Sequence, residues 1–423
     1  MNNLKKLLDA NRDISGYRVI QTNTESYELF FVHEKLETVR NTDTCDTKVT
    51  VYVDHDGKTG DSSFAVYRSM SEQETAERIS SAAERAKLVF NEPYTLYKGD
   101  VSHDELQSNL AAKPMQQIAS EIADAVFGAE HEDGCTINAT EIFVYRITTR
   151  VINSLGVDKT EVKYNAMIEA IPTFTDDKQS VELYEAYRFT ELDEKDIARE
   201  ISEKMQEVAL RCKAVKPETP IKANVVLRCQ EITGLMGELS YDLEYSGVYT
   251  HSNLHKKGDI LQSGDCDRIT LSRCGKIVGS FASRSFDDDG VSLTEQTLID
   301  NGEVVGYYGS HRFAYYLGEP DTGVLGCIKL APGTLDDAEL AKEPYIECVS
   351  MSGLQVDLYN DYIGGEIRLA YMHDGDTVTP ITGITMSAKL SDVLSTMRLS
   401  SKTTVAGRYC GPEKMLIKDI TVM

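Results

Sequence analysis

The character of the sequence changes at residues 213–220, KAVKPETP. Two prolines and the lack of any apolar period make this segment a poor helix and a poor strand, so it predicts a linker. The chain has 423 residues, more than one ordinary hydrophobic core accommodates. We therefore expect two domains, over residues 1–215 and 220–423.

Strand-like and helix-like segments alternate before this linker. Segments of alternating polarity rich in Val, Thr, Tyr and Phe predict strands at residues 27–40, 48–67, 141–151 and 157–171, with a hairpin turn at residues 55–58. Apolar residues at helical spacing predict helices near residues 71–90, 115–127 and 191–212, the first opening on a capping box of Ser71 and Glu74. The N-terminal half is thus predicted to be a mixed, two-layer α/β domain.

Short apolar runs dominate after the linker. They are separated by Gly, Asp and Asn, and Asp300-Asn301-Gly302 is typical of a tight hairpin turn. Helical spacing is found mainly at residues 230–243 and 390–397. We expect a mostly antiparallel, barrel-like β domain, which makes the whole chain an α+β protein.

The composition limits the possible partners and locations. With 44 basic and 68 acidic residues the net charge is -24, which disfavours nucleic acid because no basic patch offsets it. No run approaches the roughly 18 apolar residues of a membrane span. The nine cysteines are scattered without a CxxC motif, as in reduced cytoplasmic proteins. We expect a cytoplasmic protein that binds neither nucleic acid nor membranes.

Several short motifs together resemble one known family. They are RSFDDDGVSLTEQTLIDNGEVVGYYG at residues 284–309, NSLG at 153–156, LAPGTL at 330–335, SGL at 352–354 and ITMS at 384–387. Their order and spacing resemble the TldD/PmbA family, the modulators of DNA gyrase or peptide-maturation proteins. Residues 360–366, NDYIGGE, depart from the Thr-Gly-Asp-Phe-Ser segment that the family often carries there.

The resemblance also implies where a zinc site would lie. The catalytic form of the family has a His-Glu-x-x-x-His helix, in which the histidines bind zinc and the glutamate is the general base. Aligned from Val225, this pattern places Gly237 and Asp242 at the histidine positions and Glu238 at the glutamate position. Glycine has no ligand atom. The chain therefore resembles the TldE/PmbA-like sister form, for which we expect no catalytic residue, no cofactor and no metal.

A displaced metal site is the alternative. His251 and His255 would share one face of a helix, and Cys410 lies in a Cys-Gly pair resembling the third zinc ligand of the catalytic form. However, no acidic residue lies between the histidines, and Ser252, Asn253 and Gly258 favour a loop. We interpret the histidines as part of a polar surface segment and Cys410 as a packed thiol.

The loop Asp287-Asp288-Asp289-Gly290 has two interpretations. Three carboxylates suit a hard cation, but adjacent side chains of an extended chain point in opposite directions. We favour a tight turn in which an Asp caps its own backbone and the glycine takes a positive φ.

Tyrosines cluster in the second half of the sequence, and their role has two interpretations. Core packing is favoured over an amphipathic lining for an extended peptide. The residues are Tyr245, Tyr249, Tyr307, Tyr308, Tyr315 and Tyr316.

The resemblance implies an accessory, non-catalytic subunit of a TldD/TldE-like metallopeptidase assembly that processes unfolded peptides. It would pair with a TldD-like zinc subunit or with itself as a dimer, and extended peptides would be its substrates. Two alternatives remain: a peptidase in its own right with the displaced metal site, or a regulatory protein that acts on gyrase through protein contacts.

Overall fold

The structure, a computed structural model, describes residues 2–423 and confirms the predicted α+β class. Its strands form three β-sheets, one before residue 190 and two after residue 220. Within the described residues, no helix is both long and apolar enough to cross a membrane.

The first sheet has eight strands in the order β3-β2-β1-β5-β6-β4, with β7 and β8 also pairing with β6. Their bounds are β1 (Gly16–Val32), β2 (Lys35–His55), β3 (Lys58–Val66), β4 (Val101–Glu105), β5 (Cys135–Asn153), β6 (Asp158–Thr175), β7 (Ser180–Glu182) and β8 (Glu185–Phe189). The strand pairs β1–β2, β1–β5 and β5–β6 are long and antiparallel, and they form the centre of this sheet.

Four helices cover one face of this sheet: α1 (Asn2–Ala10), α2 (Glu72–Ala86), α3 (Met115–Phe127) and α4 (Glu194–Lys213). Alternate residues of β1 turn toward them, so Tyr17 and Val19 pack with α1 and α2 while Leu29 packs with α3 and α4. Period-two alternation on the strands and helical spacing on the helices thus bury one face of each. The predicted two-layer arrangement is confirmed.

The capping box of α2 is also confirmed, because Ser71 and Glu74 exchange both hydrogen bonds. The predicted end of this helix was wrong. The helix ends at Ala86, and Phe90, which the sequence placed at the end of the helix, is 61% exposed. The chain leaves the helix there because Asn91 pairs with Thr59 of β3.

The remaining elements follow residue 220. The strands are β9 (Ile221–Arg228), β10 (Leu271–Cys274), β11 (Gln296–Asp300), β12 (Glu303–Val304), β13 (Cys327–Leu330), β14 (Tyr345–Met351), β15 (Gln355–Asp357), β16 (Tyr362–Asp374), β17 (Thr377–Ile381), β18 (Ile384–Lys389), β19 (Arg398–Leu399), β20 (Thr403–Ala406), β21 (Tyr409–Pro412) and β22 (Lys414–Val422). The helices are α5 (Cys229–Tyr241), α6 (Tyr245–Thr250), α7 (His311–Leu317), α8 (Asp337–Leu340) and α9 (Leu390–Thr396).

Five of these strands close into a barrel, in the order β14-β9-β22-β18-β16 and back to β14. All neighbours are antiparallel except β14 and β9. The other sheet has the order β12-β11-β10-β13-β21-β20. Its β11–β12 connection is the predicted hairpin turn, with positive φ at Asn301 and Gly302. One hydrophobic core joins the barrel, this sheet and α5.

Polar contacts join the first sheet to the later elements. Arg18 of β1 pairs with Asp289, and Lys159 Nζ of β6 lies 2.7 Å from Ser292 Oγ. On α4, Glu207 lies 3.2 Å from Nη1 of Arg228, at the end of β9. The division into domains at residues 215–220 stays a prediction.

Candidate functional site

Helix α5 follows β9 directly and presents two different faces. Its buried face consists of Ile232, Leu235, Met236 and Leu239, whose i, i+3, i+4, i+7 spacing places them in the core shared with the barrel. Glu231, in its first turn, is also buried, and this burial raises the pKa of its carboxyl to about 7. The opposite face carries Gly234 and Glu238, which are exposed.

Gly237 and Asp242 differ sharply in their surroundings. A Cβ atom at Gly237 would meet only Cδ1 of Ile328 at 4.0 Å, so the position has room for a side chain. Asp242 is buried, and its Oδ1 accepts the backbone N–H of Leu254 at 2.6 Å. Its Oδ2 accepts the backbone N–H of His255 and lies 2.9 Å from Nδ1 of the same residue. Both oxygens are therefore engaged within the protein.

The electrostatics of Asp242 agree with this geometry. Burial by itself would raise the pKa of this carboxyl, but the hydrogen bonds from the His255 ring and from the N–H groups of Leu254 and His255 outweigh it. The net effect holds the pKa of Asp242 below its ordinary value. Asp242 is thus a charged anchor for the loop that follows α6.

The three residues of the displaced metal hypothesis lie in different settings. His251 ends α6 with φ 57° and is exposed, whereas His255 contacts Asp242. Because α6 ends at Thr250, the helical spacing that would align the two rings is missing. Cys410 is half-buried on β21, in register with Lys329 of β13.

The donors on α5 do not fit a zinc ion. Zinc in proteins takes at least three N, S or O donors from side chains. Gly237 offers none, and Asp242 would have to give up hydrogen bonds to two backbone N–H groups and one ring. Across residues 2–423, no group of three or more His, Cys, Asp or Glu side chains is placed to hold a metal ion.

A cleft of about 810 Å³ lies beside the exposed face of α5. This volume is within the roughly 300–1,000 Å³ typical of ligand pockets. We call it the α5 cleft, and α5, α6 with the loop after it, and the segment from Leu354 to Tyr362 form its walls. Its lining residues are Gly234, Glu238, Tyr241, Asp242, Ser246, Gly247, Thr250, Ser252, Asn253, Leu354, Gln355, Val356, Asp357, Leu358, Tyr359 and Tyr362.

The wall opposite α5 is a short hairpin. β15 pairs with β16 on one side, and Asp357 Oδ1 accepts the N–H groups of Tyr359 and Asn360 at 3.0 Å each, which closes the turn. Tyr359 donates from its hydroxyl to the carbonyl of Ser252, which links this hairpin to the loop after α6. This turn includes the start of the segment that departs from the family pattern, so the departure falls on the wall of the cleft.

The Asp287–Gly290 loop is a turn, as predicted. Asp287 Oδ1 accepts the N–H groups of Asp289 at 3.0 Å and Val291 at 2.9 Å, and Gly290 has φ 85°. Asp288 pairs with Arg284, and Asp289 pairs with Arg18, so the three carboxylates diverge. Burial, together with repulsion from Asp289, raises the pKa of Asp287 to about 6.

The tyrosines chosen from the sequence are mostly core or cluster residues. Tyr245, Tyr307 and Tyr308 are buried, while Tyr249 packs on Phe313 and Tyr316. The tyrosines that do line the α5 cleft are Tyr241, Tyr359 and Tyr362, which are 67%, 67% and 38% exposed. Composition could not single them out, because they are distant in sequence and meet only in the fold.

Comparison with known proteins gives the family. Residues 221–423, which contain the barrel, α5 and the α5 cleft, match the family model described as the PmbA/TldA metallopeptidase C-terminal domain. No curated protein has a detectably similar sequence. The matched region and the α+β fold define a metallopeptidase-related protein. Residues 221–423 therefore belong to the TldD/PmbA family.

Solved structures share the fold over nearly the whole chain. TldE from Thermococcus kodakarensis has a TM-score of 0.81 at 14% identity and covers 99% of each chain. A candidate modulator of a DNA gyrase from Thermotoga maritima has a TM-score of 0.77 at 15% identity, covering 100% of this chain and 99% of its own. A similar candidate modulator from Bacteroides thetaiotaomicron has a TM-score of 0.81 at 14% identity, covering 100% and 98%. At these sequence identities, the structural similarity establishes only a shared fold.

Proposed function

We propose that this chain is an accessory, non-catalytic subunit of a TldD/TldE-like metallopeptidase assembly that processes or degrades unfolded peptides. The observation that carries the proposal is the state of α5. Where the catalytic form of the family holds two histidines, this helix has Gly237 and an Asp242 whose oxygens are both hydrogen-bonded within the protein.

Glu238 alone cannot supply the missing chemistry. A carboxylate acts as general base in a zinc peptidase because the metal lowers the pKa of the bound water that the carboxylate deprotonates. Glu238 is exposed, and among residues 2–423 no side chain donates a hydrogen bond to it. Without a metal-bound water, this carboxylate has no activated nucleophile to deprotonate. It is better suited to contact a ligand in the α5 cleft.

The cleft wall suits an extended chain. β15 is the last strand of its sheet, and in the part of the chain that the structure describes no other strand pairs with its outer edge. A free edge offers N–H and C=O groups to a peptide strand and reads backbone more than side chains. This supports unfolded peptides, rather than folded domains, as the material that the assembly handles.

The partner that we propose is a TldD-like zinc subunit, with a second copy of this chain as the alternative. The likeness to a structure named TldE supports the first choice. Direct action on DNA is disfavoured by the net charge of -24. The alternative is regulation of gyrase through protein contacts. A pull-down that recovers topoisomerase without any family partner would favour it.

The test is to purify the full chain, measure its zinc by elemental analysis, and assay digestion of casein alone and with a TldD-type subunit. We expect zinc well below one ion per chain, no digestion by the chain alone, and faster digestion by the pair than by the TldD-type subunit alone. Stoichiometric zinc, or casein digestion by the chain alone, would overturn the proposal.

If zinc is found, two variants locate it. A site built from the displaced candidates would lose its zinc in His255→Ala and in Cys410→Ser. A matched control is Cys45→Ser, a half-buried thiol on the first sheet, which should retain whatever zinc the wild-type chain carries.

A further inference from the structure

The lining of the α5 cleft has one sign of charge. Three of its residues are acidic, namely Glu238, Asp242 and Asp357, and no lysine, arginine or histidine is among the lining residues. Asp242 and Asp357 use their oxygens for N–H groups of the protein, whereas Glu238 has no such partner in the described chain. The cleft therefore has a negative potential and one carboxylate available to a ligand.

Three exposed tyrosines line the cleft together with this carboxylate. Tyr241 lies on α5, one helical turn from Glu238, and Tyr359 and Tyr362 lie on the facing hairpin. The hydrogen bond from the Tyr359 hydroxyl to the Ser252 carbonyl holds one of these rings across the cleft. Tyrosine faces attract cations, and they also pack on the aliphatic stem of a lysine or arginine.

Apolar side chains complete the surface. Leu354, Val356 and Leu358 line the same wall as the hairpin tyrosines. A long cationic side chain has an apolar stem and a charged head, and this combination of apolar wall, aromatic rings and terminal carboxylate is complementary to both parts. A neutral polar side chain would gain the packing without the attraction between charges. An acidic side chain would be repelled by the carboxylate.

We infer that the α5 cleft binds a lysine or arginine side chain of an extended peptide, with Glu238 as its counter-charge and Tyr241, Tyr359 and Tyr362 around its stem. This inference rests on the proposed function, since it names the class of peptide that a peptide-handling subunit would retain. Glu238, at the position of the family's general base, thus acts here in substrate selection.

The test compares short, unstructured, fluorescein-labelled peptides that differ only at one central position, which is Lys, Arg, Gln or Glu. Binding to the full chain is measured by fluorescence anisotropy at low and high salt. We expect the Lys and Arg peptides to bind about tenfold more tightly than the Gln peptide, and the Glu peptide to bind most weakly. Added salt should narrow this difference, since it screens charge.

Variants assign the effect to the cleft. Glu238→Gln should reduce the preference for Lys over Gln to about threefold or less, and Tyr241→Ala should weaken the Lys peptide more than the Gln peptide. Glu303→Gln removes one exposed charge on β12, outside the cleft, and should keep the full preference.

The outcomes separate the two proposals. Equal binding of all four peptides, or a preference that Glu238→Gln leaves intact, overturns this inference and leaves the accessory role untouched. Failure of every peptide to bind, to the chain alone and to the chain with a TldD-type subunit, overturns it as well. Stoichiometric zinc together with a Lys preference would overturn the accessory role but support the selectivity.

Discussion

Nδ1 of His255 lies 2.9 Å from Oδ2 of Asp242, so an imidazole from the loop after α6 contacts the carboxylate that ends α5. The sequence offered His255 as a metal ligand and Asp242 as a ligand position. In the fold the two residues satisfy each other, and two backbone N–H groups share the same carboxylate. Asp242 also lines the α5 cleft, so the pair fixes a residue of its wall.

Asp242→Ala should lower the free energy of unfolding by about 2 kcal/mol, because it leaves two backbone N–H groups and a ring without their charged acceptor. Urea unfolding followed by circular dichroism measures the change. Glu238→Ala, four residues earlier on the exposed face, is the control and should change stability by less than about 0.5 kcal/mol. Equal stability of the two variants would contradict the anchoring role of Asp242.

Asp287 predicts a specific pH dependence. Its folded pKa of about 6 lies above the ordinary value of 3.8, so the folded state holds the proton more tightly than the unfolded state does. The sign follows from linkage: the free energy of unfolding falls as pH rises from about 4 to about 6, by on the order of 2 kcal/mol from this group. Asp287→Asn should lack this part of the decline.

The control for this experiment is Asp288→Asn, whose side chain is 59% exposed in the same loop and should leave the pH profile unchanged. Asp287→Asn should also be less stable at every pH, since one amide group replaces an oxygen that accepts a backbone N–H. Urea unfolding at a series of pH values gives both quantities. A wild-type profile that is flat over the window would exclude the raised pKa.

Gly290→Ala should destabilise the joint between the first sheet and the later elements. Gly290 has φ 85°, and an added Cβ would lie 2.5 Å from Cγ1 of Val157, the residue before β6 of the first sheet. Backbone strain and overpacking together should cost about 3 kcal/mol. Gly57→Ala isolates the strain, since Gly57 has φ 73° and nothing within 4 Å, and should cost about 1 kcal/mol. Thermal unfolding measures the stability of both variants. Equal losses of stability would refute the packing argument.

Arg228→Ala should cost about 2 kcal/mol, because it removes the cation shared by buried carboxylates of α4 and β14, each of which keeps one lysine as a partner. Arg228 Nε lies 3.0 Å from Glu347, and Nη1 lies 3.2 Å from Glu207. The control is Arg199→Ala on the exposed face of α4, where three surface carboxylates should contribute no more than about 1 kcal/mol. Comparable losses from the two variants in urea unfolding would show that the Arg228 contacts are no stronger than surface pairs.

Local patterns in the sequence were sufficient for much of the fold. The capping box of α2, the Asn301-Gly302 turn and the turn at Asp287 depend on residues within a few positions of each other, so short-range geometry determines them. The absence of histidine from α5 is likewise a property of the sequence, and it needs no structure to recognise. The predicted end of α2 was wrong because Asn91 pairs with Thr59 of β3, a contact between residues distant in sequence.

The sequence by itself determined the α+β class, the barrel-like second half and the lack of histidine on α5, because the first two follow from periodicity and the third from residue identity. Only the tertiary structure decided which residues share a surface. The α5 cleft joins Glu238 to Tyr359 across more than a hundred residues of sequence, and His255 reaches Asp242 through a loop without periodicity. Such contacts depend on how separate elements pack, which no local pattern encodes.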